Sequence, residues 1–259
     1  MTPDKSCLGN VFDNLRVRIH LQLTQPNSKM TITQGFLIPL IWFVSSLGLS
    51  KNKENPKSNP EVNNPTEILL ENLSEKHTGL PSFSALDLAL QGYIKLEKEL
   101  KKPVLSVIDF SLPSTEKRFW IIDIANQEVL LHTVVSHGKN SGMLMAEKFS
   151  NSPESNQSSL GFYKTAETYQ GKHGYSLRLD GLEKGINDQA RNRAIVIHGA
   201  DYAREQVAKM SGRLGRSLGC PAVPTELSDE VIDLIKEGSL LFIYAPDQKY
   251  LSQIPLLQP

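Results

Sequence analysis

Apolar side chains recur every three or four positions after Ser82, which is the spacing of one face of a helix. Ser82 is suited to cap the helix N-terminus, and Pro103 cannot continue a helix. A shorter helix is predicted from Thr66 to Leu73. The longer apolar stripe consists of Phe83, Leu86, Ala89, Leu90, Tyr93, Ile94 and Leu100. Residues 66–103 are therefore predicted to form a helical lead.

From residue 104 onward the pattern changes to β-rich segments of strand length. A late helix is predicted with Ser228 as its N-cap, acidic residues in its first turn and Gly238 as its stop. No internal repeat is found. The predicted strands are 104–110, 118–124, 128–136, 161–165, 175–180, 194–198 and 239–245. This pattern predicts a mainly β (α+β) domain over residues 104–259, mostly antiparallel, with a helical N-terminal lead and one late helix.

An uncharged apolar run occupies residues 35–49 and is followed by a polar segment rich in Asn and Pro at 51–65. A membrane-spanning helix needs about 20 apolar residues, so the run is short for a span and suits a signal peptide. A buried core segment is disfavoured by Pro39 in the run. Lysines that follow directly oppose export, so a cleaved signal and an N-terminal membrane anchor both stay open.

This N-terminal pattern predicts an exported protein of the periplasm or cell envelope. Residues 1–50 are then an N-terminal extension plus signal peptide or anchor, and residues 51–65 a flexible linker. Translation that begins at Met30 instead of Met1 also fits.

The net charge and the number of cysteines limit which functions the chain can have. The chain has 28 basic and 28 acidic side chains, and this zero net charge argues against nucleic acid as an obligate partner. It has two cysteines, and cleavage near residue 50 would remove Cys7. Cys220 would then be a lone cysteine in an oxidising compartment, either buried and inert or a reactive thiol.

Cys220 follows His198 after a loop rich in glycine and arginine. A histidine within hydrogen-bond reach can take the proton of a thiol and generate the thiolate nucleophile. Gly199 beside the histidine allows close backbone approach. Gly219 permits a tight turn whose backbone N–H groups, with that of Cys220, could face a developing oxyanion. The spacing therefore supports a Cys–His acyl-transfer hypothesis.

A metal site is a competing interpretation of the same residue types. His137, His173, His198 and Cys220 could in principle hold zinc, but no pair has the i, i+4 or C-x-x-C spacing typical of such sites. The spacing therefore disfavours a zinc site.

Two segments together resemble a known family. "IVIHGADY" at 195–202 and "GRLGRSLGCPAVP" at 212–224 are similar to the active-site signature of L,D-transpeptidases with a YkuD-type catalytic domain. Within that family the chain is similar to a branch of exported murein L,D-transpeptidase catalytic domain proteins, which "VVSHGKNSG" at 134–142 also fits. The resemblance covers roughly residues 104–246.

The chain departs from the family pattern at the second histidine, where it has Leu218. Pro221 and Ala222 also replace a hydrophobic residue and an Asn or Arg, and the spacer after His198 is longer. His198 matches the family's base and Cys220 its nucleophile. These departures leave open which group supports the thiol.

The resemblance implies acyl transfer on peptidoglycan stem peptides, in cell wall biogenesis and cell shape. Cys220 would attack the carbonyl of the third stem residue, D-alanine would leave, and an acceptor amine would take the acyl group. The same site could act hydrolytically as a carboxypeptidase or amidase, or the domain could bind the wall without turnover. The resemblance also implies that neither a metal nor an organic cofactor is needed, and the oligomeric state stays open. The candidate substrate-binding residues are Arg216, Arg213, Ser217, Gly199, Tyr202, His137 and His173.

Overall fold

The computed structural model describes residues 64–258. The apolar run 35–49 and the extension before it lie outside the described residues, as does most of the predicted linker. The chain begins with two helices, α1 (Pro65–Ser74) and α2 (Phe83–Leu96). The Ser82 side chain accepts a hydrogen bond from the Ala85 N–H, so it caps α2 as predicted. A 3₁₀ turn at Glu97–Glu99 carries the chain on to Leu100.

Eight strands form one sheet. The bounds are β1 (Val104–Asp109), β2 (Phe119–Asp123), β3 (Glu128–Thr133), β4 (Gly161–Gly171), β5 (Gly174–Gly181), β6 (Val196–Gly199), β7 (Ala222–Val223) and β8 (Leu240–Tyr244). Three more helices are α3 (Glu205–Ser211), α4 (Ser228–Ile235) and α5 (Gln248–Leu251). Within residues 64–258 no helix is long and apolar enough to cross a bilayer.

The strand order is β3-β2-β1-β8-β4-β5-β6-β7. Most neighbours are antiparallel, but β1 pairs with β8 and β6 with β7 in parallel. The segment after β3 then meets the far edge, because the Ser136 N–H donates to the Ala222 carbonyl at 2.8 Å. The sheet is therefore curled into a nearly closed barrel, and the predicted mainly β fold class is confirmed.

The core lies where α2 packs on strands β1 and β8. Gly92 of α2 sits directly on the Phe162 ring, and a Cβ there would come within 2.1 Å of that ring. Phe162 in turn stacks on Phe242 of β8, with ring centroids 4.3 Å apart. This contact explains why a glycine lies within an otherwise regular apolar stripe.

Several predicted elements differ from the structure. Ser228 is the first residue of α4 rather than its N-cap, because a 3₁₀ turn at Thr225–Leu227 leads directly into the helix. The helix ends at Ile235, before Gly238. Strand β4 runs on to Gly171, since it pairs along its length with β5. Helices α3 and α5 and the short strand β7 have no counterpart in the prediction.

Candidate active site

The turn before β7 holds the candidate nucleophile. Cys220 is a partly exposed free cysteine at the end of this turn. Gly219 precedes it with φ +128°, a conformation that L side chains rarely adopt. A Cβ at Gly219 would lie 2.8 Å from the Gln157 carbonyl oxygen. The position before the cysteine therefore requires glycine for both backbone conformation and space.

Ser217 closes the nucleophile turn through its hydroxyl. Its Oγ accepts from the Gly219 N–H at 3.0 Å and donates to the Cys220 carbonyl at 2.6 Å. The side chain is nearly fully buried. Because the Gly219 N–H already donates to Ser217, it can donate to an oxyanion, as predicted, only if the Ser217 hydroxyl rotates away.

The thiol of Cys220 is held in its neutral form. Its Sγ lies 3.7 Å from the Ala194 carbonyl oxygen, which accepts its weak S–H hydrogen bond. Burial raises the pKa of the thiol, and the Val196 N–H and the Arg193 charge lower it by less. The resting cysteine is therefore a thiol at neutral pH, and a base must remove its proton before it reacts.

His198 has the properties of that base. It lies in β6 between Ser176 of β5 and Ala222 of β7, and it is 2% exposed. Its Nδ1 lies 2.9 Å from the Gly199 carbonyl oxygen. A carbonyl only accepts, so Nδ1 carries the proton and Nε2 keeps its lone pair. Burial lowers the pKa of His198, so the ring is neutral at neutral pH.

Strand pairing places the candidate base and the candidate nucleophile on neighbouring segments. His198 pairs with Ala222, which lies two residues after Cys220, and the Val196 N–H on the same strand points at the Cys220 sulfur. Among the described residues, His198 and Cys220 share no hydrogen bond. Catalytic hydrogen bonds are often long or poorly aligned before substrate binds, so this geometry does not exclude the pair.

His173 covers one face of the candidate base. It lies in the tight turn between β4 and β5, where Gly171 pairs with Gly174. Its exposed ring stacks on that of His198 with centroids 4.3 Å apart and planes 21° from parallel. The residue predicted to lie in a loop is thus in contact with the candidate base.

His137 and Arg216 support the neighbouring loop instead of facing open solvent. His137 is 1% exposed, and its Nδ1 lies 2.8 Å from the buried Arg118 guanidinium. Burial and the Arg118 charge lower the pKa of His137 to about 4. Arg216 donates to the carbonyls of Lys139 and Gly142. We therefore propose that both hold the 137–142 loop rather than a substrate carboxylate.

The other candidate substrate-binding residues surround the nucleophile loop. Arg213 donates to the Leu214 carbonyl, and Tyr202 packs on Ala200, Ala203 and Ala222. Burial, with the nearby Cys220, raises the pKa of Tyr202 to about 12. Gly199 faces the Ser228 side chain, which a Cβ would approach to 2.8 Å. Leu218, at the position of the family's second histidine, is 65% exposed.

Arg193 is a residue of this site that sequence reasoning misses. It precedes β6, and its guanidinium lies beside Gly219 while it donates to the loop at 150–159. Its place five positions before His198 gives no motif signal. Arg118, which is fully buried, is missed for the same reason.

Metal ligation finds no support in the part of the chain that the structure describes. Across residues 64–258 no three His, Cys, Asp or Glu side chains gather as potential ligands. Two of the four residues considered for zinc have other partners: His137 contacts Arg118, and His198 bonds to Gly199.

Comparison with protein families identifies the class of the chain. The sequence profile of the L,D-transpeptidase catalytic domain (YkuD type) matches residues 78–244. This match covers more than half of the chain, so the chain belongs to the L,D-transpeptidase catalytic domain family, and the resemblance noted from its motifs is confirmed. A comparison with curated proteins gave no significant match.

Solved structures of L,D-transpeptidases are among those that this chain is similar to. One from Mycobacterium smegmatis is 15% identical with a TM-score of 0.34, over 55% of this chain and 59% of that protein. L,D-transpeptidase 1 of Mycobacterium tuberculosis is 13% identical with a TM-score of 0.32, over 55% of this chain and 62% of that protein. The helical cell shape determining protein of Campylobacter jejuni is 11% identical with a TM-score of 0.37, over 65% of this chain and 61% of that protein. The chain spans less than two thirds of each of these proteins.

Proposed function

We propose that this chain is a peptidoglycan L,D-transpeptidase in which Cys220 is the nucleophile and His198 the general base. The observation that carries the proposal is the state of His198. Its Nδ1 is fixed on the Gly199 carbonyl, and its strand pairs with the strand that follows Cys220. General-base activation requires a neutral imidazole that keeps the Nε2 lone pair and a neutral thiol on a neighbouring segment, and both are present here.

The reaction would proceed in two transfers. His198 Nε2 takes the thiol proton as Sγ attacks the carbonyl carbon of the third stem residue. The bond to the D-alanine nitrogen then breaks, and His198 returns the proton to that leaving amine. In the second transfer an acceptor amine attacks the thioester, the carbon–sulfur bond breaks, and a proton released by the amine restores the thiol. The balance needs no oxidant or other co-reactant.

The same proposal includes an envelope location. The apolar run 35–49 would export or anchor the chain, residues 51–65 would form a linker, and residues 66–103 a helical lead. Residues 104–259 would carry the catalytic site outside the cytoplasm, where stem peptides are present.

Product analysis tests the proposal. The full-length chain is incubated with a disaccharide tetrapeptide as both donor and acceptor, and the products are separated and weighed. We expect D-alanine together with a dimer crosslinked between third stem residues. A tripeptide without dimer would contradict the transferase assignment in favour of hydrolysis. No product at all would contradict the enzyme assignment for this substrate.

The pH profile should have its acid limb set by His198. The base must be neutral, and burial lowers its pKa below the ordinary value of 6.5, so it stays neutral to more acidic pH than a free histidine. We expect kcat/KM to be flat around pH 7 to 8 and to fall only as the pH drops below about 6.5. An acid limb centred above pH 7 would contradict this assignment.

Replacing His173 tests whether its ring holds the base. An aromatic pair contributes about 0.5–1.5 kcal/mol, so His173→Ala should lower kcat about 2- to 10-fold with little change in KM. His173→Phe keeps a ring and should retain most of kcat. Lys172→Ala, in the same turn, is the matched control and should retain full activity. Equal kcat in His173→Ala and Lys172→Ala would exclude this positioning role.

A further inference from the structure

The Arg193 guanidinium makes a fork of four hydrogen bonds to the loop at 150–159, near the candidate nucleophile. Its Nη1 donates to the Ser150 carbonyl at 2.7 Å and to the Ser159 hydroxyl at 2.5 Å. Its Nη2 donates to the Gln157 carbonyl at 2.6 Å and to the Ser155 hydroxyl at 3.2 Å. Four bonds from one half-buried guanidinium fix the loop at 150–159 in a way that a lysine ammonium could not reproduce.

The same loop forms the wall against which the nucleophile turn lies. A Cβ at Gly219 would meet the Gln157 carbonyl oxygen at 2.8 Å, the Ile195 side chain at 3.1 Å and Arg193 Nη2 at 3.2 Å. Ser158 joins the two segments, since its hydroxyl lies 3.3 Å from the Gly219 carbonyl oxygen. The guanidinium therefore lies close to the residue before Cys220 while it holds the loop that packs on that residue.

The positive charge of Arg193, which lies near Gly219, also acts on the Cys220 thiol. Burial opposes ionisation of Cys220, and the Arg193 charge acts in the opposite sense by lowering the thiol pKa. The other titratable groups around the thiol are Tyr202, which follows β6, and His198 within it. Both are neutral at pH 7 to 8, so neither supplies a positive charge. The other groups that lower the thiol pKa are the uncharged backbone N–H groups of Val196 and of Cys220 itself.

We propose that Arg193 is a positioning residue that holds the nucleophile turn and places a positive charge beside the Cys220 sulfur. The role fits the departures from the family pattern, because the chain has leucine and alanine where the family has polar or charged residues around the cysteine. Only the catalytic consequence of this role rests on the proposed function. The effect on the thiol itself needs no substrate.

Thiol alkylation measures the proposed effect directly. The full-length chain carries Cys7→Ser so that Cys220 is its one thiol, and its reaction with iodoacetamide is followed by intact mass from pH 6 to 10. We expect Arg193→Gln to lower the rate at pH 8 about 3- to 10-fold, because less thiolate is present. Arg193→Lys keeps the charge and should stay within about 2-fold of the parent chain. Arg191→Gln removes an exposed arginine that pairs with Glu167 and Asp180, and it should leave the rate unchanged.

Amide hydrogen exchange separates the effect of the four Arg193 hydrogen bonds from the effect of its positive charge. Amide hydrogen exchange of residues 150–159 should become faster in both Arg193→Lys and Arg193→Gln, since both lose the four bonds, and not in Arg191→Gln. Equal alkylation rates in Arg193→Gln and Arg191→Gln would overturn the charge assignment, as would equal losses in Arg193→Lys and Arg193→Gln. If amide hydrogen exchange of residues 150–159 were unchanged in Arg193→Lys, the proposed role of the four hydrogen bonds in holding this loop would be overturned. If the parent chain released no D-alanine, the proposed function would fail while both measurements still decided the role of Arg193.

Discussion

Cys220→Ala should abolish D-alanine release, with a loss on the order of 10⁴-fold or more, because the acyl group then has no atom to which it can transfer. The measurement is the rate of D-alanine release from a disaccharide tetrapeptide. The substitution removes one sulfur and leaves the turn intact, since Ser217 bonds to the backbone carbonyl of Cys220 and not to its side chain. A loss of activity would therefore report chemistry rather than unfolding.

The control for Cys220→Ala is Met210→Ala. Met210 is 89% exposed on α3, and none of the contacts that build the site involves it. This variant should keep full activity and the same melting temperature as the parent chain. If Cys220→Ala released D-alanine as fast as Met210→Ala, the assignment of the nucleophile would be wrong.

His198→Ala should lower kcat by about 10²–10⁴-fold, the range for a lost general base. Cys220 rests as a neutral thiol with a raised pKa, so without the base little thiolate exists at pH 7. Added imidazole should restore part of the activity, since the small cavity left by the ring can admit it. The measurement is D-alanine release at pH 7 with and without imidazole.

His132→Ala is the matched histidine control. His132 lies on β3, stacks on Trp120 and contacts the Lys117 carbonyl, away from the nucleophile turn. It should keep kcat within about 3-fold even if its loss lowers the melting temperature. A His132→Ala loss as large as that of His198→Ala would mean that the measurement reports stability and not the base.

The raised pKa of Cys220 changes how thiol reactivity should be interpreted. An idle cysteine is expected to alkylate slowly, but a resting thiol that awaits general-base activation also reacts slowly with a small electrophile. Slow alkylation at neutral pH therefore does not separate an enzyme from a wall-binding domain in this fold. Turnover of a stem peptide does.

Local signals predicted most of the elements. The Ser82 cap and the apolar stripe after it fixed α2, because both act over a few residues. Closure of the sheet could not be predicted in this way. It depends on the Ser136 to Ala222 hydrogen bond, which joins distant parts of the chain and involves a two-residue strand too short to show alternation.

The residues of the candidate site show the same difference between local signals and contacts distant in sequence. Cys220 and His198 were proposed from the sequence because each lies next to a glycine and within a short segment that resembles the family signature. Arg193 and Arg118 were missed because their roles come from burial and from carbonyls far away in sequence. A charged residue in a loop looks like a surface residue until the fold shows what surrounds it.

The departure at Leu218 has a partial structural explanation. Its side chain points into solvent, while Ser217 makes the bonds that close the turn. The turn therefore keeps its shape without a histidine at this position. Support for the thiol would come instead from Arg193 and the backbone of β6, as proposed above.

The most direct test of the account is the intact mass of the full-length chain after mixing with a disaccharide tetrapeptide, with Cys220→Ala beside it. The account predicts that the parent chain gains the mass of the donor less D-alanine, that free D-alanine appears, and that Cys220→Ala gains nothing. An adduct of the same mass on both chains, or D-alanine released without Cys220, would contradict the assignment of Cys220 as the nucleophile.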